Sequence, residues 1–147
     1  LHRMLEAALQ RIEARVPALA GKVRGAAEFS ALVASNDIRQ VSAGAYVLAM
    51  SLTGGAARAA TGAFVQDLDE GLTVILTQRA EDPLGGAGKD WIATQRDALV
   101  SALAGWVPAG SPGAMRLRRG QMLNVARGLL VYQLDFTVPT LLRIDPR

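Results

Sequence analysis

Apolar residues at Leu5, Leu9, Ile12 and Val16 recur at i, i+4, i+7 and i+11, with Glu6, Gln10, Arg11 and Glu13 between them. That stripe predicts an amphipathic helix over about 4–16, stopped by Pro17. The run 22–27 reads as a short strand, and 28–34 as a short helix burying Phe29, Leu32 and Val33. From Ala45 to Leu52 apolar side chains fall on both faces, which suits a strand covered on both sides or packed at a subunit boundary. Residues 53–63 carry three glycines and no large apolar group, so they predict a flexible connection. Two strands follow, 64–68 and 72–79, with Asp69-Glu70-Gly71 as turn material beside them. A second loop at about 81–89 leads into a helix for which Asp90 is the expected cap and Ile92, Leu99, Leu103 and Trp106 the buried stripe. Pro108 and the 110–113 Gly/Pro cluster close that helix. The segments 115–122 and 128–142 then predict the arms of a hairpin, the second alternating Leu130, Tyr132, Leu134, Phe136 and Val138 against Gln133, Asp135 and Thr137 until Pro139 weakens the ladder. The sum is a single α+β domain, a mainly antiparallel β-sheet with helices packed on one face.

Composition narrows the chemistry. The 147 residues are 50% hydrophobic and include no cysteine and one histidine, His2. Disulfides, thiolate metal sites and thiol nucleophiles are thereby excluded, and a His-based triad or a multi-His metal site has no material. No apolar run reaches the 18 or so residues of a bilayer-spanning helix, so a soluble protein made in the cytoplasm is expected. A surplus of three positive charges is too small to argue for nucleic-acid binding. The glycine loop before the second long helix invites comparison with a phosphate-binding loop. Counting back from Gly88-Lys89, however, Pro83 stands where the first glycine belongs and Asp90 where the magnesium-binding hydroxyl belongs. No cofactor and no metal are expected.

What remains is charge on a surface. Asp67, Asp69 and Glu70 form an acidic group in which 67 and 69 share a strand face, while Arg116, Arg118 and Arg119 form the main basic concentration, joined by Arg127 near the hairpin turn. The guanidinium fork suits protein interfaces, and the two groups are expected to serve subunit or partner contact, the acidic patch of one copy facing the basic patch of the next. The two loops, with Arg58 in the first and Glu81, Asp82 and Lys89 in the second, are expected to order on docking.

Taken in order, these segments resemble the tail terminator proteins of long-tailed bacteriophages and related prophages. The likeness rests on the opening helix, Lys22-Val23-Arg24-Gly25-Ala26-Ala27-Glu28-Phe29, the strand Ala45-Tyr46-Val47-Leu48, and the Val-rich strand 72–76. It continues with Leu99-Val100-Ser101-Ala102-Leu103-Ala104-Gly105-Trp106-Val107-Pro108 and the closing arm Leu130-Val131-Tyr132-Gln133-Leu134-Asp135-Phe136. The resemblance implies a structural, non-enzymatic role. A homo-oligomeric ring, typically a hexamer, caps the tail tube at the head-proximal end of the virion tail, stops tube polymerisation, and offers a surface to a head-completion or neck protein. DNA passes through the lumen without specific binding, no membrane is involved, and assembly takes place in the host cytoplasm. Another phage neck or tail-completion subunit is the alternative.

Overall fold

The computed structural model describes residues 2–35, 43–79, 86–123 and 128–146. In chain order the elements are α1 (His2–Arg15), β1 (Val23–Arg24), α2 (Ala26–Ser35), β2 (Gly44–Ala60), β3 (Ala63–Arg79), α3 (Gly86–Leu103), β4 (Arg116–Leu123) and β5 (Leu129–Ile144). The strands form one sheet in the order β1-β2-β3-β5-β4, antiparallel except for the short β1–β2 pair. This is the expected α+β architecture.

The period of two along β3 and β5 decides where the core lies. Leu72, Val74 and Leu76 of β3 and Leu134, Phe136 and Val138 of β5 share a face and are buried against α1 and α3. From α1 come Ala8 and Ile12, and from α3 Ile92, Leu99 and Leu103, each at helical spacing. Val16 and Pro17 end α1, Pro17 opening a 3₁₀ turn that brings buried Leu19 under the sheet. The Glu13 carboxylate accepts the Gly21 N–H, and Arg11 donates to the Ala102 carbonyl in the last turn of α3, tying the two helices together. Arg11 also lies 5.0 Å from the Trp106 ring.

Helical cover is not confined to that face. Tyr46 and Leu48, alternating with Ala45 and Val47, project to the opposite side and meet Phe29 and Leu32 of α2, with Ile75 and Val131 completing a smaller cluster. The Phe29 and Tyr46 rings meet edge to face at 5.4 Å. The first part of β2 is therefore covered on both sides, the condition its two-faced apolar pattern called for.

Several sequence expectations need correction. Val33, expected to be buried with Phe29 and Leu32, is 63% exposed on the outer side of α2. The segment 53–63 is not a connecting loop: β2 runs unbroken to Ala60, and only Thr61 and Gly62 turn the chain. Asp69-Glu70-Gly71 is not a turn but the middle of a 17-residue strand, β3, which merges the two strands expected there. Asp90 does not cap the second long helix, because α3 already begins by Gly86 and Asp90 falls within it. For the strands the ladder supplies the common physical reason. Small residues in 53–60 have no side chains to anchor, yet their backbone is held by β3, which β5 in turn pairs from Phe64 to Arg79. Pro139 is accommodated because β4 pairs β5 no farther than Thr137; there the segment 111–113 meets it instead, and the Pro139 carbonyl accepts from Ser111 Oγ at 2.6 Å, so a missing N–H is tolerated.

The turn itself yields a prediction. Thr61 and Gly62 have φ of 50° and 80°, the pair of left-handed residues a two-residue hairpin favours. A β-branched Thr is poorly suited to that region, whereas Asn is tolerated there. Thr61→Asn is expected to raise stability by about 0.5–1 kcal/mol, read as a higher midpoint in urea unfolding with unchanged slope.

Candidate functional site

Long β2, β3 and β5 carry the sheet well past the helices. The portions 49–60, 63–69 and 139–144 form a three-stranded arm that no helix covers among the described residues, and the arm inherits the alternation of the core. Leu52, Phe64, Leu68, Leu142 and Ile144 continue the face that farther back is buried under α1 and α3. Phe64 and Ile144 lie directly opposite each other, 43% and 39% exposed, and Leu52 is 54% exposed. Glu70 marks the boundary. It occupies the same face, is 7% exposed, and burial pushes its carboxyl up from the ordinary range.

The other face carries the charges. Asp67 and Asp69 share it, as their spacing required, but Glu70 does not join them. Each aspartate already has an arginine of its own chain. Arg58 Nη1 stands 3.1 Å from Asp67 Oδ1 across the β2–β3 hairpin, and Arg116 Nη2 stands 3.8 Å from Asp69 Oδ1. The acidic and basic groups, read from sequence as separate patches, are thus neighbours on one sheet face. Exposed pairs of this kind contribute little to stability and chiefly orient the side chains.

Between β2 and β4 this face forms an open trough, lined by Ser51 and Thr53 on one side and by Arg116, Arg118 and Arg119 on the other. Its floor is closely packed, since a Cβ on Gly71 would displace the Ser51 hydroxyl and lie 3.3 Å from Ser51 Cβ. A register shift between Leu117 and Arg119 places Arg118 at a bulge, and among the described residues it has no carboxylate partner.

Arg119 belongs to a group that sequence reasoning placed on the polar face but did not single out. Asp135 on β5 accepts hydrogen bonds from Thr73 Oγ1 of β3 at 2.7 Å, from Gln133 Nε2 at 3.0 Å, and from Arg119 Nε of β4 at 3.0 Å. Burial alone would raise this carboxyl; the hydrogen bonds from Thr73, Gln133 and Arg119 outweigh it, and the net shift is downward. A lowered carboxyl contributes stability above its unfolded-state value, and that contribution is lost as pH falls through the folded one. Asp135→Asn is expected to cost about 1–2 kcal/mol at pH 7. The gap from the unmodified protein should begin to narrow below about pH 4, the unfolded-state value, and close only as pH falls through the lowered folded-state value, as urea midpoints across that range would show.

The remaining candidates are scattered. Lys89 lies exposed in the first turn of α3, on a different element from the arm, and Glu81, Asp82 and Arg127 lie outside the described residues. Among the described residues no three His, Asp or Glu side chains converge as a metal site would require, and no helix is long and apolar enough to cross a membrane.

No curated protein matches the chain. The family model described as phage tail terminator protein matches residues 4–146, which takes in every strand and nearly all of the three helices. The chain therefore belongs to the phage tail terminator family, structural proteins of the virion tail that interact with other tail components.

Proposed function

We propose that this protein assembles as a closed ring, typically of six copies, on the head-proximal end of the tail tube, where it stops tube growth and offers its far side to a neck protein. The observation that carries the reading is the uncovered arm. A subunit that exposes Leu52, Phe64 and Ile144 on one face of a sheet has an apolar surface suited to another protein. The activity is one of shape and contact, with no bond made or broken. DNA passes through the opening, where transit requires weak and sequence-independent contact.

Within this reading the apolar face of the arm docks on the tube, and the charged face supplies polar contacts around it. Arg58, Asp67, Asp69, Arg116 and Arg119 are oriented by their own intrachain pairs. Arg118, at its bulge, is the group left for a carboxylate of the tube protein. Glu70, facing the core, serves the fold at the base of the arm.

Native mass measurement and negative-stain imaging of the purified protein, alone and mixed with tail tubes, test the proposal. A closed ring with a central hole, seated on one tube end, is the expected result. A protein that stays monomeric both free and with tubes overturns it. Arg118→Glu is expected to leave the ring intact and reduce its occupancy on tube ends.

A further inference from the structure

We propose that successive copies of this chain join edge to edge through the arm. The outer edge of β2 over 49–60 in one copy pairs with the outer edge of β5 over 140–144 in the next, so that one sheet runs through the assembly. This rests on the ring reading above and specifies how its subunits meet.

The argument begins with backbone groups. β3 pairs the inner side of β2 over its whole length, whereas β1 bonds the outer side only at Ala45 and Tyr46. On the other side of the sheet, β4 pairs β5 no farther than Thr137. Among the described residues, 47–60 and 138–144 therefore each present one side to no strand. Such an edge is a template for another strand unless charge, proline or distortion guards it.

The guards are unevenly placed. On the free edge of β4, Arg116 and Arg119 are turned onto Asp69 and Asp135, but Arg118, at the bulge and without a carboxylate among the described residues, leaves an unpaired charge and a distortion that guard that edge. Over 49–60 the only charge is Arg58, already turned onto Asp67 of its own hairpin at 3.1 Å, and there is no proline. Over 140–144 the only charge is Arg143, held by Asp145 at 3.0 Å. Two irregularities interrupt β2, one between Ala49 and Ser51 and one between Gly54 and Ala57, leaving 51–54 and 57–60 as regular stretches. The stretches 51–54, 57–60 and 140–144, which carry neither an unpaired charge nor a proline, thus all belong to the arm.

Direction then selects the partner. β2 and β5 are each antiparallel to β3, so they run the same way and lie on opposite sides of it. Joining β2 of one copy to β5 of the next gives a parallel pair between two different surfaces. That contact repeats head to tail with all arms aligned, and a rotation that closes makes it cyclic. Joining β2 to β2 would instead be antiparallel and self-complementary, and would stop at a dimer. The same join places the apolar face of one arm beside that of the next, so side chains reinforce the ladder.

Hydrogen exchange on the full chain, compared between assembled and dilute monomeric protein, provides the test. Outward amides within 49–60 and 140–144 should exchange at least about tenfold more slowly in the assembly, with 116–123 unchanged. The natural absence of cysteine allows a covalent check. Thr53→Cys and Leu141→Cys lie on one face but are separated within a chain by β3, about 9–10 Å of strand spacing and beyond disulfide reach. Oxidation of the double variant should give a ladder of covalent oligomers, and Thr53→Cys alone should stay monomeric on a non-reducing gel. Closed rings whose 49–60 amides gain no protection overturn the edge join while leaving the ring reading standing, as does a disulfide dimer from Thr53→Cys alone. Absence of any assembled species defeats the ring reading itself, and this inference with it.

Discussion

Phe136→Ala is expected to destabilise the protein by about 3–5 kcal/mol, the loss typical of a large aromatic removed from a packed core. Phe136 is 1% exposed and lies where three strands meet, opposite Leu72 of β3 and Leu117 of β4. Its neighbours in the same cluster include Leu103 and Met115, which come from the end of α3 and the approach to β4. None of these is free to close the space, because each is held by its own strand or helix or, for Met115, by backbone hydrogen bonds to Gly105 and Trp106, so a cavity remains. At this chain length the loss corresponds to a fall in melting temperature of about 10 °C. Trp106 gives a contrast. It is only half buried, lies beyond the end of α3, and shares its ring with Arg11 at the surface. Trp106→Ala is therefore expected to lower the melting temperature by less than half as much. Equal losses at the two positions would mean that the core is not centred on β5.

The ease with which β5 is read from sequence, and the difficulty with the arm, have one physical origin. Alternation is visible when one face is buried by large side chains, and Leu130 to Val138 supply them at every second position. The same holds for the stripes of α1 and α3, whose periods match the buried residues found. Residues 53–60 offer no such contrast. A Gly/Ala run is stabilised by what it pairs with, and its partner, Ala63 to Asp69, reads as a short strand only to Leu68, where Asp69-Glu70-Gly71 resembles turn material when read alone. The decisive signal was Gly62, suited to a left-handed turn position between segments of equal length, with the less suited Thr61 beside it masking the hairpin. The charges show the same limit. Spacing correctly put Asp67 and Asp69 on one face, but only the register of three strands brings Arg116 to Asp69, or Thr73, Gln133 and Arg119 together around Asp135. Long-range pairing of this sort leaves no local trace, so the fold class and the family were legible while the site was not.

The largest functional effect is expected from recharging the arm without unfolding it. Phe64 and Ile144 face each other across β3 and β5, both substantially exposed, so replacing them removes little buried surface from the monomer. In the double variant Phe64→Glu with Ile144→Lys, opposite charges stand at directly opposed positions, which favours the same strand pairing. The melting temperature should therefore stay within a few degrees of the unmodified protein. Docking should not survive. Seating on the tube would now require burying two charged groups where an aromatic and an aliphatic side chain had been, and the loss of two anchors of about 2 kcal/mol each weakens attachment by roughly a thousandfold. Rings should still form, because the edges at 49–60 and 140–144 keep their backbone groups, but the fraction of tube ends carrying a ring should fall to background in negative stain. Tubes capped as often by this variant as by the natural sequence would show that the apolar face of the arm is not the docking surface. Loss of rings together with loss of caps would show that the face, rather than the edge, holds the copies together.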